Sequence, residues 1–424
     1  MSRKIIFIAA LLFSIVRTFS FSQDSAGDDI KIYENSVITK INFDGLKRTK
    51  ESYMQSELEE FLYQNADRST LMQAKTKLTF SGLFSDIAVS YTQTSESEVS
   101  LDISVKEKIS FLPVPFAMYT TSTGFMGGLV VMDMNAFGIK DMAMFGGFFS
   151  AKQVSGMVSY AKQPKRWRPG FSTALSVGKR SSEITDMDNR TVLEYDGFSV
   201  NASLSVNERI GTYNTVSLGG SFSYLDASKD SGYDSVHLES LTSGGVSLGW
   251  NISMSELNEF FTSKTSFGAR AQFLFTNDSD YSHPRKFSMF ASLQKPIAFF
   301  PRLRLCASLS GLYGIGNPIS FLDGREAGSV SILPGKFRTE RIFGGQAGVE
   351  VAIVKAKFGV ISLYAHYEAV TAQDFDDSYQ FNQGFGGGGK LYLSKIAFPA
   401  LSAGVSYNAT TNTVQFAAAF GMSF

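Results

Sequence analysis

Two stretches of the sequence combine residue types and spacings that could support catalysis. Gly245–Gly249 reads GVSLG and fits the pattern G-x-S-x-G, in which a serine nucleophile stands at a sharp strand-to-helix turn. Gly384–Gly389 is glycine-rich like a phosphate-binding loop, but it lacks the Lys-Ser/Thr ending and a following helix. The serine pattern lies inside an alternating strand, and backbones that approach closely at a strand start explain the glycines better. The histidines have no metal-ligand spacing: His237, His283 and His366. We therefore predict no enzyme activity, no cofactor and no metal site.

The long segment without a strand pattern in the C-terminal three-quarters of the chain is Gly314–Gly345. The stretch before it alternates apolar with polar or small residues from Leu303 to Ser310, and the stretch after it does so from Val349 to Ile353. A structureless loop of about thirty residues in a compact protein is usually functional. We expect this loop to be the functional centre.

The composition is typical of strands with one aromatic or aliphatic face and one small or polar face. The 424 residues include 38 Phe, 38 Gly and 17 Tyr, and the formal net charge is zero. The absence of a basic excess argues against a nucleic-acid partner.

The N-terminus has the three parts of a secretory signal. Ser2-Arg3-Lys4 is basic, Ile5–Val16 is apolar, and small residues surround Phe21 at Ser20 and Ser22. We predict a signal peptide over residues 1–22 and a linker over residues 23–35.

Residues 36–108 have the pattern of one small α/β domain. A helix with Met54, Leu58, Phe61 and Leu62 on one stripe is followed by a second helix, which opens at a capping-box pair, Thr70 and Gln73. The predicted order is strand, helix, helix, strand, strand, with strands over Val37–Phe43, Ile87–Thr92 and Val99–Val105.

This domain resembles the final POTRA domain of the BamA/TamA-type outer-membrane assembly superfamily, which is also called the bacterial surface antigen family. The likeness rests on Phe43 and Gly45 in the first strand, Gly82 and Phe84 after the second helix, and Glu107 after the last strand. The resemblance implies a periplasmic POTRA domain over residues 36–108. Another small α/β adaptor is the alternative.

Residues 109–424 are predicted to form an all-β transmembrane barrel of about sixteen antiparallel strands. Alternating runs such as Phe198–Val206 and Val216–Tyr224 recur along this part, at the length a tilted membrane strand needs. A closed barrel leaves no unpaired edge. The predicted long loops, 180–195, 226–239, 276–283, 314–345 and 373–384, all fall on one side, as they do in bacterial outer-membrane barrels.

In the assembly superfamily, the loop before the twelfth strand folds into the lumen and carries an arginine that meets acidic residues of the inner wall. The matching residues are Phe337 and Arg338, with Arg341 as a second candidate. Alternation turns Glu350, His366 and Glu368 inward. We predict that Glu350 holds Arg338, with His366 and Glu368 in the same pocket, because the planar guanidinium suits a carboxylate. The alternative is an exposed arginine without a fixed partner.

The last strand carries an apolar face that ends on an aromatic residue. Such a strand looks like the signal by which outer-membrane barrels are recognised for insertion, and it is equally a plain lipid-facing strand. Its residues are Phe416, Phe420, Met422 and Phe424.

The resemblance implies that the protein inserts or translocates other outer-membrane proteins, without nucleotide or metal. The implied partners are the outer-membrane bilayer, unfolded client proteins, and periplasmic lipoproteins or chaperones. Pro113 and Pro115 in the first barrel strand cannot donate to a ladder and should weaken its pairing with Phe416–Phe424. Two rivals stay open. A two-partner secretion pore usually has two POTRA domains and a plug helix, and a passive channel needs no POTRA domain.

Overall fold

The computed structural model describes residues 33, 36–120, 124–164, 168–233, 238, 240–257, 261–277, 283–356, 359–393 and 399–420. The predicted signal peptide and nearly all of the predicted linker lie outside these ranges, as do Met422 and Phe424. Among the described residues, no helix is long and apolar enough to cross a membrane.

The chain forms two compact units. The first comprises residues up to Leu46 and Met54–Lys106, and the second comprises Lys47–Tyr53 and Glu107–Phe424. The POTRA and barrel boundaries predicted above stay predictions.

The three strands and two helices near the N-terminus follow the predicted order. They are β1 (Val37–Asp44), α1 (Glu51–Leu58, continued as a 3-10 turn over Glu59–Phe61), α2 (Arg68–Ser81), β2 (Phe84–Gln93) and β3 (Glu98–Glu107). The sheet order is β1-β3-β2, and β1 runs parallel to β3. Met54 and Leu58 of the predicted stripe are buried, together with Leu71, Leu101 and Ile103.

The predicted cap of α2 is wrong by three residues. The N-cap is Asp67, whose side chain accepts a hydrogen bond from the Thr70 amide at 2.7 Å. The Asp67 carboxylate satisfies an amide at the start of the helix, so the helix begins at Arg68, before Thr70. The predicted end is confirmed, because Gly82 caps α2 in the left-handed region at φ 75°.

Within the described ranges, sixteen antiparallel strands close into a barrel. They are β4 (Phe111–Thr120), β5 (Gly124–Ala136), β6 (Asp141–Ser150), β7 (Gln153–Lys162), β8 (Gly170–Thr185), β9 (Thr191–Ile210), β10 (Asn214–Gly232), β11 (Leu241–Leu257), β12 (Thr262–Thr276), β13 (Arg285–Ile297), β14 (Phe300–Ile315), β15 (Arg341–Ala356), β16 (Gly359–Gln373), β17 (Tyr379–Leu393), β18 (Pro399–Asn408) and β19 (Thr413–Phe420). Each strand pairs with its sequence neighbours, and β19 pairs with β4. The predicted fold class is confirmed.

Alternation along the strands gives the barrel an apolar outside. Leu218 and Phe222 on β10 are exposed, and so is Leu363 on β16, whereas Ser362 is fully buried and Glu368 is 1% exposed. The long-loop end of the barrel is the end at which β14 stops at Ile315 and β15 begins at Arg341. The opposite end is the short-turn end.

Most predicted loops at the long-loop end are too long. Residues 180–195 were predicted as a loop, but β8 and β9 stay paired until Thr185 and Thr191. Ladder hydrogen bonds join backbones and do not require apolar side chains, so the strands continue past the apolar zone.

The glycines from Gly384 to Gly389 lie inside β17 rather than at a strand start. A Cβ at Gly386 would stand 2.3 Å from the His366 imidazole, and one at Gly388 would stand 2.0 Å from the Ala403 carbonyl oxygen. These two glycines make room for aromatic rings and neighbouring backbone on the inward face.

Candidate functional site

Glu350 is held by an arginine of the neighbouring strand, so the predicted pairing with Arg338 is wrong. Arg304 on β14 lies directly opposite Glu350 on β15. Its Nη2 and Nε atoms donate to Glu350 Oε2 at 2.7 and 3.2 Å, and both side chains are almost fully buried. The Tyr392 hydroxyl donates to Glu350 Oε1 at 2.9 Å, and the Phe261 ring covers the guanidinium at 4.5 Å. Arg304 and Glu350 thus form a buried, hydrogen-bonded ion pair that joins β14 to β15 on the inner wall.

Arg338 lies within the long segment and bonds to its backbone. Its Nη1 donates to the carbonyl oxygens of Phe337 at 2.8 Å and Gly335 at 3.2 Å. The preceding side chain, Phe337, is fully buried in an apolar cluster with Ile332, Leu333 and others. Because neighbouring side chains in an extended segment point opposite ways, burial of Phe337 turns Arg338 away from that cluster.

The segment Gly316–Glu340 is folded inside the barrel. It contains short 3-10 turns at Ile319–Phe321 and Arg325–Gly328. Its buried residues Ile332, Leu333 and Phe337 pack in one apolar cluster with inward residues of the wall and the β8–β9 turn: Met187, Leu312, Ile342, Val370 and Ala372. The apolar cluster fixes this segment against the wall.

Glu368 on β16 holds the turn at Ser331 and Ile332. Its carboxylate accepts from the Ser331 amide at 2.7 Å, the Ile332 amide at 3.1 Å and the Ser331 hydroxyl at 2.8 Å. His366 Nε2 stands 2.7 Å from Glu368 Oε1 without hydrogen-bond geometry, and the imidazole stacks on Tyr364 with ring centroids 5.7 Å apart. The structure therefore places His366 beside Glu368, whereas Arg338 bonds to the Gly335 and Phe337 carbonyls.

The next two carbonyl groups of the same turn are held by the last two strands. Asn408 on β18 donates to the Ile332 carbonyl at 3.3 Å, and Gln415 on β19 donates to the Leu333 carbonyl at 2.6 Å. Arg325 Nη1 donates to the Ser331 and Leu333 carbonyls at 2.8 and 2.9 Å and contacts the Gln415 side chain. Residues 331–333 are thus tied to β16, β18 and β19.

Sequence reasoning missed four of these residues. Arg304 was visible on the polar face of its strand, but its partner depends on the strand register. Arg325, Asn408 and Gln415 gave no signal, because their roles depend on where an irregular segment lies.

The barrel closes through the pairing of β19 with β4. Among the described residues, Ala417–Phe420 pair with Ala117–Thr120, and β4 also pairs with β5 along Phe111–Thr120. Phe416 and Tyr119 are in ring contact across this seam, at 6.2 Å between centroids. Phe416 and Phe420 face outward on β19 and are exposed.

The residues that suggested a POTRA domain have structural roles of their own. A Cβ at Gly45 (φ 84°) would stand 2.0 Å from the Val105 carbonyl oxygen, so only glycine fits there. Phe84 is buried at the start of β2 and Phe43 lies near the end of β1. Glu107 accepts hydrogen bonds from the amides of Lys47, Arg48 and Thr49 at 3.1, 2.9 and 2.8 Å. Burial would raise the pKa of Glu107, but hydrogen bonds from the Thr49 side chain and these amides outweigh it and hold the pKa below its ordinary value.

The arrangement holds the segment Gly316–Glu340 in place by hydrogen bonds and apolar packing. Within the described ranges, no group of three or more His, Cys, Asp or Glu residues could hold a metal ion. Ser247 of the G-x-S-x-G pattern lies in mid-strand on β11 and accepts a hydrogen bond from Arg270 on β12 at 2.9 Å.

Sixteen strands closed on themselves, an apolar outside and a long segment folded inside define a β-barrel of the outer-membrane type. The solved structures that share this fold include BamA from Haemophilus ducreyi lacking POTRA domains 1–3, at a TM-score of 0.61 and 13% identity, covering 93% of this chain and 85% of that one. CdiB from Acinetobacter baumannii matches at a TM-score of 0.61 and 13% identity, covering 91% of this chain and 74% of that one. CdiB from Escherichia coli matches at a TM-score of 0.56 and 12% identity, covering 96% of this chain and 93% of that one. No protein-family model and no curated protein matches the sequence. The predicted resemblance is therefore confirmed at the level of the fold.

Proposed function

We propose that the protein is an assembly factor that folds and inserts client β-barrel proteins at the outer membrane. The observation that carries this proposal is the seam. β19 pairs with β4 to close the barrel, and Pro113 and Pro115 remove two backbone donors from β4. Opening this seam would expose two strand edges, and an exposed edge pairs with another extended chain.

The segment Gly316–Glu340 supports the same function by stabilising the strands behind the seam. Its turn is bonded to Asn408 on β18 and Gln415 on β19. β18 and β19 can therefore stay in place while β4 separates from β19.

Residues 36–108 are proposed to be a POTRA domain that receives clients in the periplasm. The sheet order β1-β3-β2 leaves β1 and β2 as edge strands, and β2 is ten residues long, enough to pair with an extended client. Periplasmic lipoproteins or chaperones are the further partners we propose.

The functional test is depletion of the protein from its native cells. The expected result is lower abundance of unrelated outer-membrane barrels with unchanged transcripts. If every other barrel stays at its normal level, the assembly function is excluded.

A translocation pore is the second candidate, favoured by an accessible stretch of the inner wall. Asn201 and Ser203 on β9 and Arg270 on β12 are exposed. Asn201 and Arg270 alternate with outward residues and so face inward. A pore of this kind would keep exporting its client when β4 and β19 are cross-linked to each other. An assembly factor that opens between these two strands would stop working.

The location is tested with single cysteines in a Cys306→Ser background. We expect Ser228→Cys to react with a membrane-impermeant maleimide on intact cells, because residue 228 lies on β10 near the long-loop end. Asn65→Cys should react only after permeabilisation. The reverse pattern would contradict the proposed topology.

A further inference from the structure

An open apolar groove lies on the outside of the barrel across β5 to β8. Its volume is about 960 Å³, and its lining includes Gly127, Gly147, Gly156, Phe145, Phe149 and Val177. Gly147 and Gly156 are directly opposite each other, between Leu129 on one side and Val177 on the other. The two phenylalanines flank Gly147 along β6, so the glycines form a floor between aromatic walls.

Among the described residues, none stands where it would clash with a Cβ on this floor. A Cβ at Gly127, Gly147 or Gly156 would have its nearest neighbour at 3.5, 3.6 or 3.8 Å, which is ordinary contact, and none of the three has a positive φ. In contrast, a Cβ at Gly128 or Gly146 would stand 2.3 or 2.7 Å from a carbonyl oxygen. Glycine inside a strand weakens it. A cluster of glycines without a steric cause is therefore explained by the space it leaves outside the barrel.

A basic side chain stands at one end of the groove. Lys179 on β8 is exposed, lies two residues beyond the groove residue Val177 and points to the same face. It lies directly opposite Val154 on β7. Glu183, further along β8, is already engaged by Lys336 at 2.5 Å and Lys152 at 3.6 Å. The positive charge of Lys179 thus lies just beyond the apolar floor, on the same face of the sheet.

The spacing along β8 places Lys179 at the level of lipid headgroups. Phe171, at the short-turn end of β8, is in ring contact with Tyr160 at 5.6 Å and Tyr160 with Phe137 at 6.0 Å, which is a belt of aromatic residues. A tilted strand crosses the hydrocarbon zone in about 9–11 residues. Counting from Phe171, Lys179 falls at the far side of that zone.

From this geometry we infer that the groove is a binding site for one anionic phospholipid, with an acyl chain on the glycine floor and the negatively charged headgroup at Lys179. The inference rests on the proposed membrane location but not on the assembly function. The glycines let an acyl chain approach the backbone, and close packing is what favours one apolar partner over another inside a bilayer.

The test is native mass spectrometry of the purified full chain in detergent, with phosphatidylglycerol or phosphatidylcholine added. The wild type should retain one phosphatidylglycerol in preference to phosphatidylcholine. The double variant Gly147→Leu/Gly156→Leu fills the floor and should lose at least about fivefold in retention. The matched control is Gly220→Leu on β10, an outward glycine with equally open space, 3.9 Å from its nearest neighbour, and it should behave as the wild type. Lys179→Gln should abolish the preference for phosphatidylglycerol, and Lys179→Arg should keep it.

Three results would overturn the inference. The first is equal retention in the double-leucine variant and the Gly220→Leu control. The second is a preference for phosphatidylglycerol that survives Lys179→Gln. The third is a protein partner that copurifies with the wild type and is lost from the double-leucine variant, because the groove would then hold a membrane helix. Resistance of each variant to unfolding in cold SDS reports a folded barrel, so a misfolded variant is recognised and the inference is then decided by the lysine variants.

Discussion

Replacing Glu368 by glutamine should release the segment Gly316–Glu340 from the inner wall. The carboxylate accepts three hydrogen bonds and is 1% exposed. An amide oxygen in the place of Oε2 keeps the bonds from the Ser331 and Ile332 amides, and the Ser331 hydroxyl can turn to accept from the amide nitrogen. The two amide bonds lose their charged acceptor, at about 1 kcal/mol each, which amounts to about 2 kcal/mol. That corresponds to about a 30-fold larger population of the open segment.

Limited trypsin digestion followed by mass spectrometry measures this opening through cleavage after Arg325. The matched control is Glu350→Gln, which makes the same substitution at a glutamate that is also 1% exposed but bonds to Arg304. We expect fast cleavage in the Glu368→Gln barrel and slow cleavage in the folded Glu350→Gln barrel. Equal cleavage rates in the two variants would show that Glu368 does not hold the segment.

Two further predictions concern the charged groups of the second unit. Arg304→Ala leaves the buried Glu350 carboxylate without its arginine partner and should lower the free energy of unfolding of the barrel by about 3–5 kcal/mol. Arg338→Ala should lower it by less than about 1 kcal/mol. Heat-dependent unfolding in SDS measures both effects, and equal effects would contradict the pairing of Glu350 with Arg304. The lowered pKa of Glu107 means that its hydrogen bonds stabilise the fold above its ordinary pKa of 4.5 and are lost as the pH falls through the lower folded value. The protection factors of the Lys47–Thr49 amides against hydrogen exchange, which are corrected for the intrinsic slowing of exchange by acid, should then fall on acidification. Glu107→Gln should remove that dependence, and an unchanged pH profile in the variant would exclude Glu107 as its cause.

Much of the fold was predictable because each strand carries its own period-two pattern. The stretch from Val216 to Tyr224 repeats apolar and small residues, and that pattern requires one buried or lipid-exposed face whatever the rest of the chain does. The strand ends were less predictable, since the β8–β9 ladder continues through charged residues as far as Thr185.

The candidate site was predicted only in part. Alternation alone turned Glu350 and Glu368 inward. The partner of Glu350 depends on the register between β14 and β15, which puts Arg304 opposite Glu350, and a long connection does not fix that register. The place of Arg338 follows from burial of Phe337 in a cluster that draws on β8–β9, β14, β15 and β16, and such a set of distant contacts has no local signal in the sequence.

The most direct test of the account is a reversible lock on the seam. In a Cys306→Ser background, Met118→Cys with Ala419→Cys joins β4 to β19, because the two residues are directly opposite. Ser402→Cys with the same Ala419→Cys joins β18 to β19 and is the matched control. Oxidised seam-locked protein should fail to restore the abundance of other outer-membrane barrels in depleted cells and should recover with reductant, while the control works in both states. Full activity of the oxidised seam-locked barrel would contradict the claim that the protein works by opening between its first and last strands.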